Sequence, residues 1–95
     1  MLVAMWTQQV DLHSHSYYSD GIHSPQEMAK RAYDSGVKVW SLTDHDTSKG
    51  WEEAQEACGS LGLRFIPGVE ITCEVEMNSE THNPQSWHLL SYFPD

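Results

Sequence analysis

The sequence predicts an α/β fold in which strands and helices alternate as βαβαβ, followed by a β-hairpin. Two runs with helical spacing of apolar residues each follow a short strand-like run and end at a glycine. After the third strand, two further extended runs flank a turn-like stretch. Such alternation is typical of βαβ units, which build a parallel sheet, so we expect the first three strands to be parallel.

The first strand is expected at residues 7–12, where polarity is mixed, and a loop of Ser, Asp and Gly follows over 13–23. Ser24 can cap the helix that comes next, and Glu27 completes the spacing of a capping box. Apolar residues recur along this helix at helical spacing: Met28, Ala29, Ala32 and Tyr33. Gly36 is expected to end the helix in a left-handed conformation.

The second strand is predicted at residues 37–42, and it runs into a polar segment that leads to the second helix. Thr47 or Ser48 is expected to cap that helix, and Gly62 to end it. Its apolar stripe contains four residues: Trp51, Ala54, Cys58 and Leu61. A third strand is predicted at residues 63–66.

The end of the chain predicts a hairpin. Residues 67–68, Pro-Gly, interrupt the third strand, and an extended run resumes over 69–76. A turn-like stretch over 78–86 separates it from a last strand over 87–93. No linker or repeat divides the chain, so residues 1–95 are expected to form part or all of one domain.

Composition limits the classes of partner. Five basic residues stand against fourteen acidic ones, a balance that repels nucleic-acid backbones unless bound cations offset it locally. No apolar run approaches the roughly 20 residues that span a bilayer, and the first residues do not resemble a secretory signal. We therefore expect a cytoplasmic protein that does not enter membranes. Cys58 and Cys73 are expected to be buried free thiols.

Side chains that can bind metals fall where predicted strands end, and the carboxyl ends of parallel strands share one edge of a sheet. Six of them are candidate ligands: His13, His15, Asp20, His45, Glu70 and His88. His13 and His15 lie two apart and so face the same side of an extended segment. Imidazole with carboxylate suits Mn, Zn and Fe, and the absence of a cysteine pair argues against a closed structural zinc site. Six ligands exceed one tetrahedral site, which indicates two or more ions with Glu70 as a bridge, an arrangement suited to phosphoryl chemistry.

Three aspartates beside these candidates could support them without binding metal themselves. Asp11 shares the side of His13 and could orient an imidazole or cap a loop. Asp44 and Asp46 flank His45, and helix capping explains either one as well as catalysis does.

Five segments, in this order, resemble the motifs of the PHP-domain (polymerase and histidinol phosphatase) phosphoesterases. They are Asp11-Leu12-His13-Ser14-His15-Ser16, Ser19-Asp20-Gly21, Leu42-Thr43-Asp44-His45-Asp46-Thr47, Pro67-Gly68-Val69-Glu70-Ile71 and His88-Leu89-Leu90-Ser91-Tyr92. The resemblance is strongest to small bacterial members that act on nucleoside 3′,5′-bisphosphates or as 5′-to-3′ exonucleases on short RNA.

This resemblance implies a distorted seven-stranded (β/α)7 barrel with up to three divalent ions, of which manganese is expected and zinc, iron or magnesium are alternatives. It implies hydrolysis of phosphate esters of nucleotides, or of short RNA or DNA ends, by a metal-bound hydroxide. The implied ligand sets are His13, His15 and Glu70 for one ion, Glu70 and His88 for a second, and Asp20 and His45 for a third.

A (β/α) barrel needs roughly 200 residues or more, so the chain is expected to be the N-terminal part of a PHP domain whose C-terminal half is absent. Such a part would hold metals poorly, turn over slowly, and expose an open barrel edge through which a homodimer could form. Two alternatives remain at this point: a piece of an amidohydrolase-type barrel, and a non-catalytic metal-binding or dimerisation fragment.

Overall fold

The computed structural model describes residues 9–76 and 84–94, with side chains over 9–73 and 87–94. These residues contain five strands and two helices, with a helix after each of the first two strands. In chain order they are β1 (Val10–Asp11), α1 (Pro25–Asp34), β2 (Val39–Trp40), α2 (Trp51–Leu61), β3 (Arg64–Phe65), β4 (Gly68–Glu76) and β5 (Pro84–Tyr92). No helix in the described part is long and apolar enough to cross a lipid bilayer.

The first three strands form a parallel sheet in the order β1-β2-β3, as the βαβαβ pattern predicts. Val10 is paired with Val39, and Val39 with Arg64. Each strand has only two regular residues, fewer than the sequence suggests. Beyond Trp40 the pairing of β2 shifts from β1 to the loop that follows it: Ser41 N still donates to the carbonyl of Asp11, but Thr43 N donates to the carbonyl of Ser14 at 2.7 Å.

Helix α1 begins as predicted, because the backbone N–H of Glu27 donates to Ser24 Oγ at 3.1 Å. Gly36 follows its end with φ of 90°, the expected left-handed conformation. Ala29 and Ala32 face the core, but Tyr33 is 48% exposed, so its assignment to the apolar stripe was wrong.

Helix α2 starts later than the predicted caps. Its N-cap is Gly50, with no capping side chain, so neither Thr47 nor Ser48 serves that role. Thr47 Oγ1 instead accepts from the backbone N–H of Lys49 at 3.2 Å, in a turn that precedes the helix. A side chain at position 50 would press on Leu42 at 2.7 Å, which favours glycine there. Gly62 ends the helix at φ of 76°, as predicted.

The core lies between the two helices and the parallel strands. Small residues on the helices allow the elements to approach closely, and larger apolar side chains fill the space between them. Its members are Ala29, Ala32, Val37, Trp40, Leu42, Ala54, Cys58 and Leu63.

β4 and β5 form the predicted antiparallel hairpin, with Thr72 opposite His88. β5 begins at Pro84, three residues before the predicted start, because pairing extends to Glu76 opposite Pro84; part of the predicted turn lies outside the described residues. The hairpin joins the rest of the fold through Glu70, whose backbone N–H donates to the carbonyl of Asp44 at 3.1 Å. Tyr92 adds a second attachment, since its hydroxyl donates to the carbonyl of Leu12 at 2.6 Å.

Candidate metal centre

All six predicted ligand residues lie at one rim of the fold. The loop after β1 carries His13, His15 and Asp20, the segment after β2 carries His45, and the hairpin supplies Glu70 and His88. Their ligand atoms form three overlapping groups, within 4.8 Å of one another in each group. The groups are His13, His15 and Glu70; His15, Asp20 and His45; and His45, Glu70 and His88.

Glu70 is the centre of this rim. Its Oε1 lies 2.8 Å from His13 Nε2 and 2.9 Å from His15 Nε2. Its Oε2 lies 3.1 Å from His88 Nδ1 and 3.8 Å from His45 Nδ1. One carboxylate therefore faces four imidazoles, two on each oxygen, which is the position expected of a ligand shared between cations.

His15 faces a carboxylate with each ring nitrogen. Nε2 lies 2.9 Å from Glu70 Oε1, and Nδ1 lies 2.5 Å from Asp20 Oδ1. A neutral imidazole has only one N–H, so one of these contacts would set two lone pairs against each other. Either a second proton or a cation near the pair resolves that repulsion, and the donor set of imidazole and carboxylate fits Mn²⁺, Zn²⁺ or Fe²⁺.

The rim is buried at its base and open at its top. The side chains of Glu70 and His15 are 9% and 18% exposed, whereas those of Asp20 and His13 are 61% and 56% exposed. A shallow cavity of about 350 Å³ opens there, lined by His13, Ser14, His15, Asp20 and Gly21. A small anionic ligand could therefore reach ions held against Glu70 from the solvent side.

The pKa values of the two carboxyls reflect their neighbours. Desolvation raises the pKa of Asp20, but hydrogen bonds and charge attraction from His15 and His45 outweigh it and hold that pKa below the ordinary 3.8. Desolvation likewise raises the pKa of Glu70, and hydrogen bonds from His13 and His15 with attraction from His45 bring it below 4.5. Both groups are thus ready to act as anionic ligands near neutral pH.

The three flanking aspartates do not point ligand atoms into these groups. Asp11 accepts from the backbone N–H of His13 at 3.1 Å, as a loop cap does. Asp44 is 2% exposed and accepts from Ser16 and Ser19, and Asp46 accepts from the backbone N–H of Thr72 at 2.8 Å. Neither Asp44 nor Asp46 caps α2, so that alternative is excluded.

Sequence reasoning missed the residues that hold the rim in place. Ser16 and Ser19, three apart, both bind Asp44, and Tyr92 fastens the hairpin beside His13. Gly21 is also required, because a Cβ there would lie 2.5 Å from the carbonyl oxygen of His15. The two serines, three residues apart in a polar loop, could have been identified from the sequence as hydrogen-bond donors. The contact of Tyr92 with Leu12 could not, because the two residues are 80 positions apart.

Comparison with known proteins identifies the class. Residues 11–92 match the PHP domain, and the chain belongs to this family. Over 70 residues it is 49% identical to the 5′-3′ exoribonuclease of Haemophilus influenzae, an alignment that covers 74% of this chain and 26% of that protein. Over 63 residues it is 41% identical to the 3′,5′-nucleoside bisphosphate phosphatase of Chromobacterium violaceum, covering 66% of this chain and 22% of that protein.

A solved structure agrees with the fold. A protein of Bifidobacterium adolescentis described as a metal-dependent phosphoesterase superposes with a TM-score of 0.77 and 35% identity, over 90% of this chain and 27% of that one. The predicted α/β fold of a PHP-type barrel portion is thereby confirmed. The chain spans about a quarter of the length of the relatives it matches.

Proposed function

We propose that the protein is a metal-dependent phosphoesterase that hydrolyses phosphate esters of nucleotides or of short RNA or DNA ends. The observation that carries this proposal is the convergence of four histidines on Glu70, at the rim of a PHP domain. The relatives named as an exoribonuclease and a nucleoside bisphosphate phosphatase support nucleotides as the substrate class.

The proposed ligands are those expected from the sequence: His13, His15, Asp20, His45, Glu70 and His88. Divalent ions, with Mn²⁺ as the first candidate, would neutralise phosphate charge and lower the pKa of a water toward neutrality. The chain's own residues would hold the ions: Glu70, His15 and His45 each belong to two of the three groups. Two of the groups contain one residue more than the ligand sets implied by the resemblance. His45 joins Glu70 and His88, and His15 joins Asp20 and His45.

The same geometry supports weak binding by this chain. The three groups share six side chains, so three ions would have about two protein ligands each, fewer than the three that a catalytic zinc site has. Metal affinity and turnover are therefore expected to be low compared with a relative about four times longer. The same expectation of low turnover is compatible with the alternative of a non-catalytic metal-binding fragment. Binding of cations without hydrolysis of either substrate would favour that alternative.

The test combines metal content with activity. Mn²⁺ binding is measured by titration at equilibrium, and phosphate release is assayed with the ion present against a nucleoside 3′,5′-bisphosphate and a short 5′-phosphorylated RNA. Glu70→Gln should remove bound metal and any phosphate release, whereas His23→Ala should not, because His23 contacts Glu27 away from the rim. Failure of the wild-type chain to bind Mn²⁺, Zn²⁺ or Fe²⁺ at any point of such a titration would contradict the proposal.

Two further expectations stay predictions: the cytoplasm as compartment, and a homodimer through an open sheet edge. In the described part of the chain β5 pairs with β4 alone, and it exposes Trp87 and Leu89 by 49% and 54%. Exposed apolar side chains on an edge strand favour association. Sedimentation of the wild type against Leu89→Lys would test the dimer, since the added charge should leave a monomer.

A further inference from the structure

The two aspartates on either side of His45 reach in different directions, each to a different part of the rim. Asp44 is buried and bonds to the loop that follows β1. Asp46 is exposed and bonds to β4 on the hairpin. The segment that carries His45 is therefore tied on both sides to the segments that carry the other ligands.

Asp44 holds the loop closely. Its Oδ1 accepts from Ser16 N at 2.6 Å and Ser19 Oγ at 2.7 Å, and its Oδ2 accepts from Ser16 Oγ at 2.6 Å. Short charge-assisted bonds of this kind offset the cost of burying a carboxylate. Because Ser16 follows His15 and Ser19 precedes Asp20, these bonds fix where both ligand residues stand relative to His45.

Asp46 holds the hairpin at Glu70. Its Oδ1 accepts from Thr72 N at 2.8 Å, and its own N–H donates to the carbonyl of Glu70 at 2.9 Å. Its φ is 53°, a left-handed conformation that costs energy for most residues and that Asp and Asn tolerate better than others. The strained backbone at this position lets both bonds form at once, to the two main-chain groups that flank Ile71.

We propose that Asp44 and Asp46 are positioning residues for the ligands of the rim. Asp44 acts through Ser16 and Ser19, and Asp46 acts through Thr72. Together they set the separation of the ligand-bearing segments, and this separation determines the affinity for cations. This role rests on the proposed function of the rim. Supporting groups around metal ligands typically contribute 10- to 100-fold in affinity, which is the size of effect expected here.

The role of Asp46 is tested with two variants that separate backbone from side chain. Asp46→Asn keeps an oxygen acceptor for Thr72 N and tolerates the left-handed backbone, while Asp46→Gly suits the backbone but has no acceptor. Mn²⁺ affinity, measured from the electron paramagnetic resonance signal of free Mn²⁺, should stay within about 3-fold of wild type for Asp46→Asn and weaken roughly 10- to 100-fold for Asp46→Gly. Equal loss of affinity in both variants would show that the carboxylate is itself a ligand and would overturn the proposal. Unchanged affinity in Asp46→Gly would also overturn it, because the bond to Thr72 would then not matter.

The role of Asp44 is tested at the loop, with a control for stability. Ser19→Ala removes one bond to Asp44 and should weaken Mn²⁺ binding about 10-fold. Ser24→Ala removes the cap of α1, which lowers stability without removing a bond to Asp44, and should leave Mn²⁺ affinity unchanged. Asp44→Asn should retain affinity, because its oxygen can accept from Ser19 and its amide can donate to Ser16 Oγ.

The outcomes separate this proposal from the proposed function. A wild-type chain without measurable affinity for Mn²⁺, Zn²⁺ or Fe²⁺ contradicts the function itself. A wild-type chain that binds Mn²⁺, with Ser19→Ala binding equally well, contradicts the positioning role of Asp44 alone. Equal weakening in Ser19→Ala and Ser24→Ala would likewise overturn it, because general stability would then explain both.

Discussion

Gly68→Ala is expected to destabilise the protein and to disturb the rim together. Gly68 begins β4 two residues before Glu70. A Cβ at this position would lie 2.6 Å from Ser41 Oγ, 2.9 Å from Thr43 Cγ2 and 2.9 Å from Tyr92 Cδ1. Ser41 and Thr43 are both fully buried, so neither can move aside without displacing the core.

The magnitude follows from these contacts. Overpacking of a buried site costs about 1–3 kcal/mol, and two immobile neighbours place Gly68→Ala near the upper value. Alanine recovers up to about 1 kcal/mol by restricting the unfolded chain, which leaves a net loss of about 2 kcal/mol. For a chain of this size that corresponds to a fall in Tm of roughly 8–16 °C.

Gly59→Ala is the matched control. Gly59 lies inside α2 and a Cβ there would meet nothing within 4 Å. The same change of residue should stabilise the helix by about 1 kcal/mol. Thermal unfolding followed by circular dichroism measures both variants, and Mn²⁺ affinity should fall only for Gly68→Ala. A Gly68→Ala protein that melts at or above the wild-type temperature would refute the close approach of β4 to Ser41 and Thr43.

Three other predictions concern charge and reactivity. In the metal-free protein, the lowered pKa values of Asp20 and Glu70 mean that their contribution to stability is present above the unfolded-state pKa values and is lost as pH falls through the folded-state values. Urea unfolding should therefore show stability declining as pH falls below about 5, and Glu70→Gln should reduce that decline. Desolvation raises the pKa of the Cys58 thiol to about 11, so a thiol reagent at pH 8 should leave Cys58 unmodified until the protein unfolds. Labelling of the folded protein as fast as in urea would contradict the burial of Cys58. At a concentration where the wild type sediments as a monomer, Leu89→Lys should leave Tm within about 3 °C of wild type, because an exposed side chain contributes little to folding. A larger fall there would show that Leu89 is covered within the monomer.

The order of elements and the location of the rim could be predicted because both depend on local patterns. Residues such as Ser24, Gly36 and Gly62 mark helix ends by chemistry that operates within a few residues. The parallel order of β1, β2 and β3 then follows from the alternation of elements, and it brings His13 and His45 to the same edge.

Elements that depend on distant contacts were harder to predict. β2 is shorter than its apolar run because Thr43 bonds to Ser14 in a loop. Helix α2 starts after a turn in which Trp51 N donates to the carbonyl of Ser48. Tyr33 has helical spacing but points to solvent, since spacing alone does not show where the apolar face ends. The directions of Asp44 and Asp46 also depend on the three-dimensional structure, because the same residue type on either side of His45 gives no local signal of which segment each one reaches.

The pairing of Glu70 with His13 and His15 has a consequence for folding. These contacts join positions 57 and 55 residues apart along the chain. A divalent ion held between them would bind the folded chain and not the unfolded one, so it would stabilise the fold by mass action, by about 2.7 kcal/mol at a hundredfold excess of ion over its Kd. The hairpin would then exchange its amide protons more slowly when the ion is present, so cation supply would set the lifetime of the fold as well as its chemistry.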